Sequence, residues 1–241
     1  MTSRIVHRPI LSPGERFTGL TYLADGTLLI AITPQSASAN GSEPTRFLIL
    51  NEDSQTIAAL GLNINEALDS LLLLKSGSLI GLVTKKDGTG PAKIVDVNPR
   101  TGKVSFTNRI GLPADRRFSC LAEAPDGTLY TSVFRANATT ELLRVDFARQ
   151  TVTVVAHLTV TGVFQSEFDG RAVQGTVPWY HGIQSLMVTP AGQLVALCNL
   201  EYRLPNSVYS IRVDTGHMTE VTGFEASRAT LLTGASTEWG M

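Results

Sequence analysis

Four glycines, Gly26, Gly77, Gly127 and Gly192, each close a short turn between two apolar stretches, and together they set the period of the chain. The flanking passages are residues 19–30, 69–80, 119–130 and 184–195. The first three turn glycines fall about 50 residues apart, a period that marks propellers and solenoids. The last interval is longer, and its extra residues lie in 159–182. A chain built this way makes one supersecondary unit several times over. Each unit then needs its neighbours to cover its apolar faces.

Every repeat continues beyond its first hairpin. Third-strand patterns follow at 47–51, 93–98, 141–146 and 207–214, and fourth-strand patterns at 56–60, 103–106, 151–155 and 218–221. Turn signals such as Asn98-Pro-Arg-Thr-Gly and Asp214-Thr-Gly separate them, since Asn, Asp, Pro and Gly supply tight backbone geometry. The outer strands alternate apolar with polar residues, whereas the first strands are nearly continuous apolar runs such as Leu71-Leu-Leu-Leu. No segment has a helical period. The pattern predicts an all-β chain, a β-propeller of four four-stranded blades at about 18–60, 67–110, 118–158 and 183–224, within one domain spanning 1–241. Residues 4–11 and 228–233 are left over as two further strands, enough for a partial fifth blade joining the two termini. An incomplete ring would instead close by oligomerising, because an open sheet edge invites aggregation.

Composition narrows the partners. A net charge of -1 supplies no field for nucleic acid, and Arg116-Arg117 is too short a basic run to suggest it. No apolar run reaches the length of a membrane span, and the N-terminal residues lack a secretion signal, so the expected compartment is the cytoplasm. In that setting Cys120 and Cys198, both within apolar strand patterns, read as small buried hydrophobes.

Propeller connectivity places the tight turns on one face of the disc and the second-to-third-strand loops and blade connections on the other. The long segments 34–45, 85–91, 159–182 and 199–206 all belong to that second face, and loops of this size on a rigid scaffold are where function is placed. Segment 159–182 is the richest. Trp179 and Tyr180 suit stacking on a sugar or flat ligand, while Asp169, Arg171 and His181 suit hydrogen bonding to it. Asn199, Glu201 and Tyr202 open on the same face and would complete such a pocket. The competing structural reading is a loop that folds back and buries its aromatics over the channel. No cofactor motif occurs; a divalent cation would need Glu15, Asp69, Asn199 and His181 to converge from several strand ends. A Gly-x-Ser-x-Gly nucleophile motif is absent, and Lys85-Lys-Asp-Gly-Thr-Gly lacks the ending of a phosphate loop.

The phrases at 124–130, 188–195 and 97–104 resemble those of NHL-repeat, SMP-30/gluconolactonase-like and strictosidine-synthase-like propellers. For the gluconolactonase-like enzymes the resemblance implies a metal in the central channel, with Glu15 standing for an early Glu ligand. His181-Gly182-Ile183 stands where that family has Asn-Gly-Leu. Those enzymes have six blades, more than this chain has repeats for. The expected function is a binding or scaffolding propeller that presents its long-loop face to a small ligand or protein partner. Two readings compete with it: a channel-centred enzyme (a metal-dependent lactonase or esterase-like hydrolase, or a cyclase-like catalyst) and a lectin. An enzyme needs several titratable groups converging on one point, and a lectin propeller usually repeats its binding residues in each blade.

Overall fold

A computed structural model describes residues 14–34, 45–50, 55–59, 62, 66–85, 92–101, 103–105, 110, 117–134, 138–165, 171–189, 191–198 and 207–221. The strand patterns at 4–11 and 228–233 lie outside these residues. The described chain is all-β, with four antiparallel blades in sequence order. The first holds β1 (Glu15–Tyr22), β2 (Leu28–Pro34), β3 (Arg46–Leu50) and β4 (Gln55–Ala59), hydrogen-bonded in that order. The second holds β5 (Glu66–Leu73), β6 (Leu79–Lys85), β7 (Lys93–Val97) and β8 (Val104–Ser105). The third holds β9 (Arg117–Glu123), β10 (Leu129–Phe134), β11 (Glu141–Asp146) and β12 (Thr151–His157). Innermost strands β1, β5 and β9 stand side by side in that order.

Each inner hairpin turns as its sequence requires. In the first, Gly26 has φ +81° and donates its N–H to the Leu23 carbonyl at 3.0 Å, while Thr27 donates to the Asp25 carboxylate at 3.0 Å. The third blade repeats the arrangement with Gly127, Asp126 and Thr128. A side-chain acceptor two residues before its donor is the Asx-type closure that makes Asp common in such turns.

Packing between blades follows the strand period of two. Along β2, Leu29 and Ala31 join a core with Leu68, Val83 and Val95 of the second blade, while Leu28, Ile30 and Ile32 pack with Leu48 and Leu50 in a separate cluster. Leu82, Ile94, Leu121 and Leu143 fill the space between the second and third blades. Second strands are therefore buried on both faces. By contrast, outer strand β12 leaves Thr151, Thr153, Val154 and His157 exposed.

The fourth blade departs from the others. Its own strands are β15 (Ile183–Val188), β16 (Leu194–Cys198), β17 (Ser207–Ile211) and β18 (His217–Glu220), with β15 beside β9. Two further strands extend the sheet: β13 (Thr159–Gln165) and β14 (Ala172–Pro178), giving the order β14-β13-β18-β17-β16-β15. The irregular loop expected at 159–182 is thus a β-hairpin over most of its length. Thr159-Val-Thr opens β13, and in β14 Val173 and Val177 alternate with Gln174 and Thr176, a period-two signal that the segment's length obscured.

Leu158 alone separates β12 from β13, so the chain passes from the third blade into the edge of the fourth almost without a break. There β13 runs parallel to β18, pairing Thr159 with His217 and Val160 with Met218. The Thr159 N–H donates to the Gly216 carbonyl at 3.0 Å. Gly216 has φ +71°, and a Cβ at this position would be driven into the His157 carbonyl. No other residue fits this crossing without displacing backbone.

Candidate functional site

Aligned on their turn glycines, the inner strands share one irregularity. Register breaks at a β-bulge in each, and the equivalent residues are Thr18, Asp69, Ser119 and Gln184. A bulge interrupts the ladder and re-aims side chains, so each blade must satisfy the polar group it places there. Thr18 Oγ1 lies 3.0 Å from Thr33 Oγ1, which lies 3.0 Å from Thr45 Oγ1, and Thr45 donates to the Glu66 carbonyl at 3.2 Å. The Asp69 carboxylate accepts from Thr84 Oγ1. Ser119 Oγ and Ser132 Oγ are 2.8 Å apart, with Cys120 Sγ 3.2 Å from Ser132. Only the fourth differs: Gln184 Oε1 is buried and has no hydrogen-bond partner among the described residues.

A second repeated position shows the same contrast. At the head of the inner strand, Glu15 binds Arg46 at the start of β3 through contacts of 2.7, 2.9 and 3.0 Å. In the second blade Glu66 takes Lys93 at 3.1 Å. The fourth blade has His181 at this position, exposed and in edge contact with Trp179, ring centroids 5.3 Å apart at 74°.

Backbone hydrogen bonds hold the segment carrying His181. Thr140 N–H donates to the Trp179 carbonyl, Trp179 N–H to Leu158 and Leu158 N–H to Thr140, each at 2.8 Å. Thr140 Oγ1 donates to the His181 carbonyl at 2.7 Å. The path from β14 to β15 is therefore tied to the third blade as well as to the fourth. Tyr180, 50% exposed, is displayed on that support.

Trp179 is 4% exposed, with its ring against His181 and, at 5.3 Å, Tyr209. Protein rings occupy the surface expected to stack on a ligand. What the indole retains is a buried Nε1–H with no acceptor among the described residues. Thr131 Oγ1 in β10 is the remaining buried polar side-chain atom without a partner among the described residues. Buried polar groups are normally satisfied, so each such atom calls for an explanation.

The other expected site residues fall as follows. Arg171 is exposed just before β14. Asp169, Asn199, Glu201 and Tyr202 lie outside the described residues. Of the residues expected to take a cation, Glu15 faces Arg46 and Asp69 faces Thr84, and no group of three or more His, Cys, Asp or Glu comes together among the described residues. Cys120 and Cys198 are free thiols buried in the core between the third and fourth blades, and desolvation raises both above the ordinary thiol range. A cavity of 210 Å³ lined by Leu74, Ser76, Ser78, Ile80 and Phe147 lies by the turn of the second blade, at the opposite end of the strands from residues 179–182.

No protein-family model and no curated protein matches the chain. Solved structures match in fold. A protein of unknown function from Bacteroides caccae superposes with TM-score 0.51 at 12% identity, over 90% of this chain and 65% of its own. Another, from Dyadobacter fermentans, gives 0.51 at 12%, over 88% and 74%. The PQQ-bound aldose sugar dehydrogenase of Streptomyces coelicolor gives 0.50 at 14%, over 81% and 60%. The chain thus spans less than two thirds of the first and third of these, and the likeness establishes the propeller fold alone. Among the described residues no helix is long and apolar enough to cross a membrane.

Proposed function

We propose that this chain is a binding propeller that takes a small, neutral, hydroxyl-rich ligand at the head of its fourth blade. One observation carries the reading: the polar bulge position is satisfied within the protein in three blades and left without a partner in the fourth. Gln184 Oε1 needs a donor and Trp179 Nε1–H needs an acceptor. A hydroxyl group is both, and a polyol or sugar carries several at fixed spacing. Exposed Tyr180 adds an aromatic surface of the kind that stacks on a sugar ring. A carboxylate or phosphate ligand fits less well, since the segment's two basic side chains, Arg171 and His181, stand at opposite ends of β14.

Both orphan atoms are buried, so a ligand reaches the indole Nε1–H when a side chain packed on that ring moves. His181 is suited to that role, being exposed and resting on Trp179 by its ring edge. Rotation of a surface side chain between staggered wells is fast and costs little.

Isothermal titration against a panel of neutral mono- and oligosaccharides tests the reading. At least one class should bind, with Gln184→Leu and Tyr180→Ala each weakening it about tenfold, the loss of one good contact. Thr18→Val, at the equivalent bulge of the first blade, should leave binding unchanged. Absence of binding across the panel, or equal affinity in all three variants, would overturn the assignment.

A further inference from the structure

The outermost strand of the fourth blade has an open side. β14 ends the six-stranded sheet, and among the described residues no strand pairs with its outer edge. Its register with β13 is unbroken over seven pairs, from Thr159–Pro178 to Gln165–Ala172. Its sequence, Ala-Val-Gln-Gly-Thr-Val-Pro, contains no charge, and its proline comes last. Natural edges are blunted by charge, proline, bulges or shortness. Other blades use those devices: β8 has two residues, and β12 is bulged where its pairing skips from Ala156 to Val154. β14 uses none.

Gly175 supplies a second, independent observation. A glycine in mid-strand weakens the strand, and it is usually explained by a bulge, a positive φ or close approach of another backbone. Gly175 has no bulge, does not have positive φ, and a Cβ built on it meets nothing within 4 Å. Nothing within the described chain calls for the missing side chain.

We propose that β14 is a dimerisation edge, on which a second copy of this chain pairs antiparallel about Gly175. The strand is self-complementary in this register. Gly175 meets Gly175 of the other copy at the twofold axis, and Gln174 meets Thr176 on both sides of it. An isologous contact places one strand against itself in this way. Gln174 and Thr176 are both exposed, and an amide opposite a hydroxyl forms a cross-strand hydrogen bond. In this arrangement the two six-stranded sheets become one.

Charge swapping tests the register. Sedimentation of the full chain at tens of micromolar should show a dimer. Q174K/T176K and Q174E/T176E should each be monomeric, with the dissociation constant raised about 100-fold or more by two facing like-charge pairs. Mixed in equal amounts, they should recover the dimer, because Lys on one copy then faces Glu on the other. A monomeric wild-type chain overturns the proposal, as does a dimer that survives both charged pairs. Saccharide titration of the same variants is independent, because Tyr180 and Gln184 are unchanged in them.

Discussion

The second and fourth blades begin from the same hairpin and end differently. In the second, each polar group at a repeated position is answered within the protein: Asp69 by Thr84, Glu66 by Lys93, and Ser70 Oγ by the Leu121 N–H across the blade boundary. In the fourth, the same positions hold Gln184 with an orphan oxygen and His181 with its ring on an indole, and a hairpin lengthens the sheet. The contrast separates what the ring needs in order to stand from what one blade adds to it. Repetition identifies scaffold, and the exceptions to it identify where a partner fits.

Substitution at Trp179 should break the contrast most severely. Trp179→Ala removes a buried aromatic that packs with Tyr209 and should cost about 3–5 kcal/mol in urea unfolding followed by circular dichroism. Trp179→Phe keeps most of the packing and removes the orphan N–H, so stability should be nearly retained while saccharide affinity falls. Stability and binding losses that track each other in both variants would make Trp179 purely structural.

Glycines sharpen the comparison at an intermediate scale. Gly77, in the turn of the second blade, has φ +86° and open space around it, so Gly77→Ala should cost only the left-handed strain, about 1–2 kcal/mol. Gly216→Ala adds a clash with the His157 backbone, with the His157 carbonyl carbon 2.9 Å and Ala156 Cβ 3.0 Å from the new methyl. Its cost should be at least about 3 kcal/mol. Equal losses in the two variants would show that the crossing at Leu158 relaxes freely.

The smallest effect concerns acid. Hydrogen bonds from Thr27 and Thr128 hold the exposed Asp25 and Asp126 carboxyls below their ordinary value of 3.8. A depressed folded pKa stabilises above the unfolded value and is lost as pH falls through the folded one. Turns 23–27 and 124–128 should therefore loosen below about pH 3.8, read as amide protection factors (observed rates divided into the intrinsic rate at each pH) lower than those at pH 5. The turns at 74–78 and 189–193 have Ser76 and Ala191 at the equivalent position and should show no such step.

Much of this architecture was legible in the sequence, because turn glycines and apolar runs are local signals. Gly26, Gly77, Gly127 and Gly192 all take positive φ and close the turns expected of them. The hairpin at 159–178 was visible as alternation, yet a segment interrupting a period reads first as a loop. The site was harder to see. Glu15 and Arg46 meet only because two strands bring together residues far apart in sequence. The orphan states of Gln184 and Trp179 depend on neighbours across two blades. Sequence leaves Trp179 between stacking on a ligand and burial over the channel, and only the packing of His181 and Tyr209 around it reveals a buried donor.

The one-residue step at Leu158 has a consequence for how the protein comes apart. Repeat proteins commonly lose their units one by one from an end, since each contacts only its neighbours. Here Leu158 is fully buried, its backbone bonds Thr140 and Trp179, and the next residue is already paired to the fourth blade. The third blade cannot shed its outer strand without pulling β13 from β18, nor the fourth detach while β12 remains in place. These two blades should open as a single cooperative block, and a protease or a pulling force should find them one object rather than two.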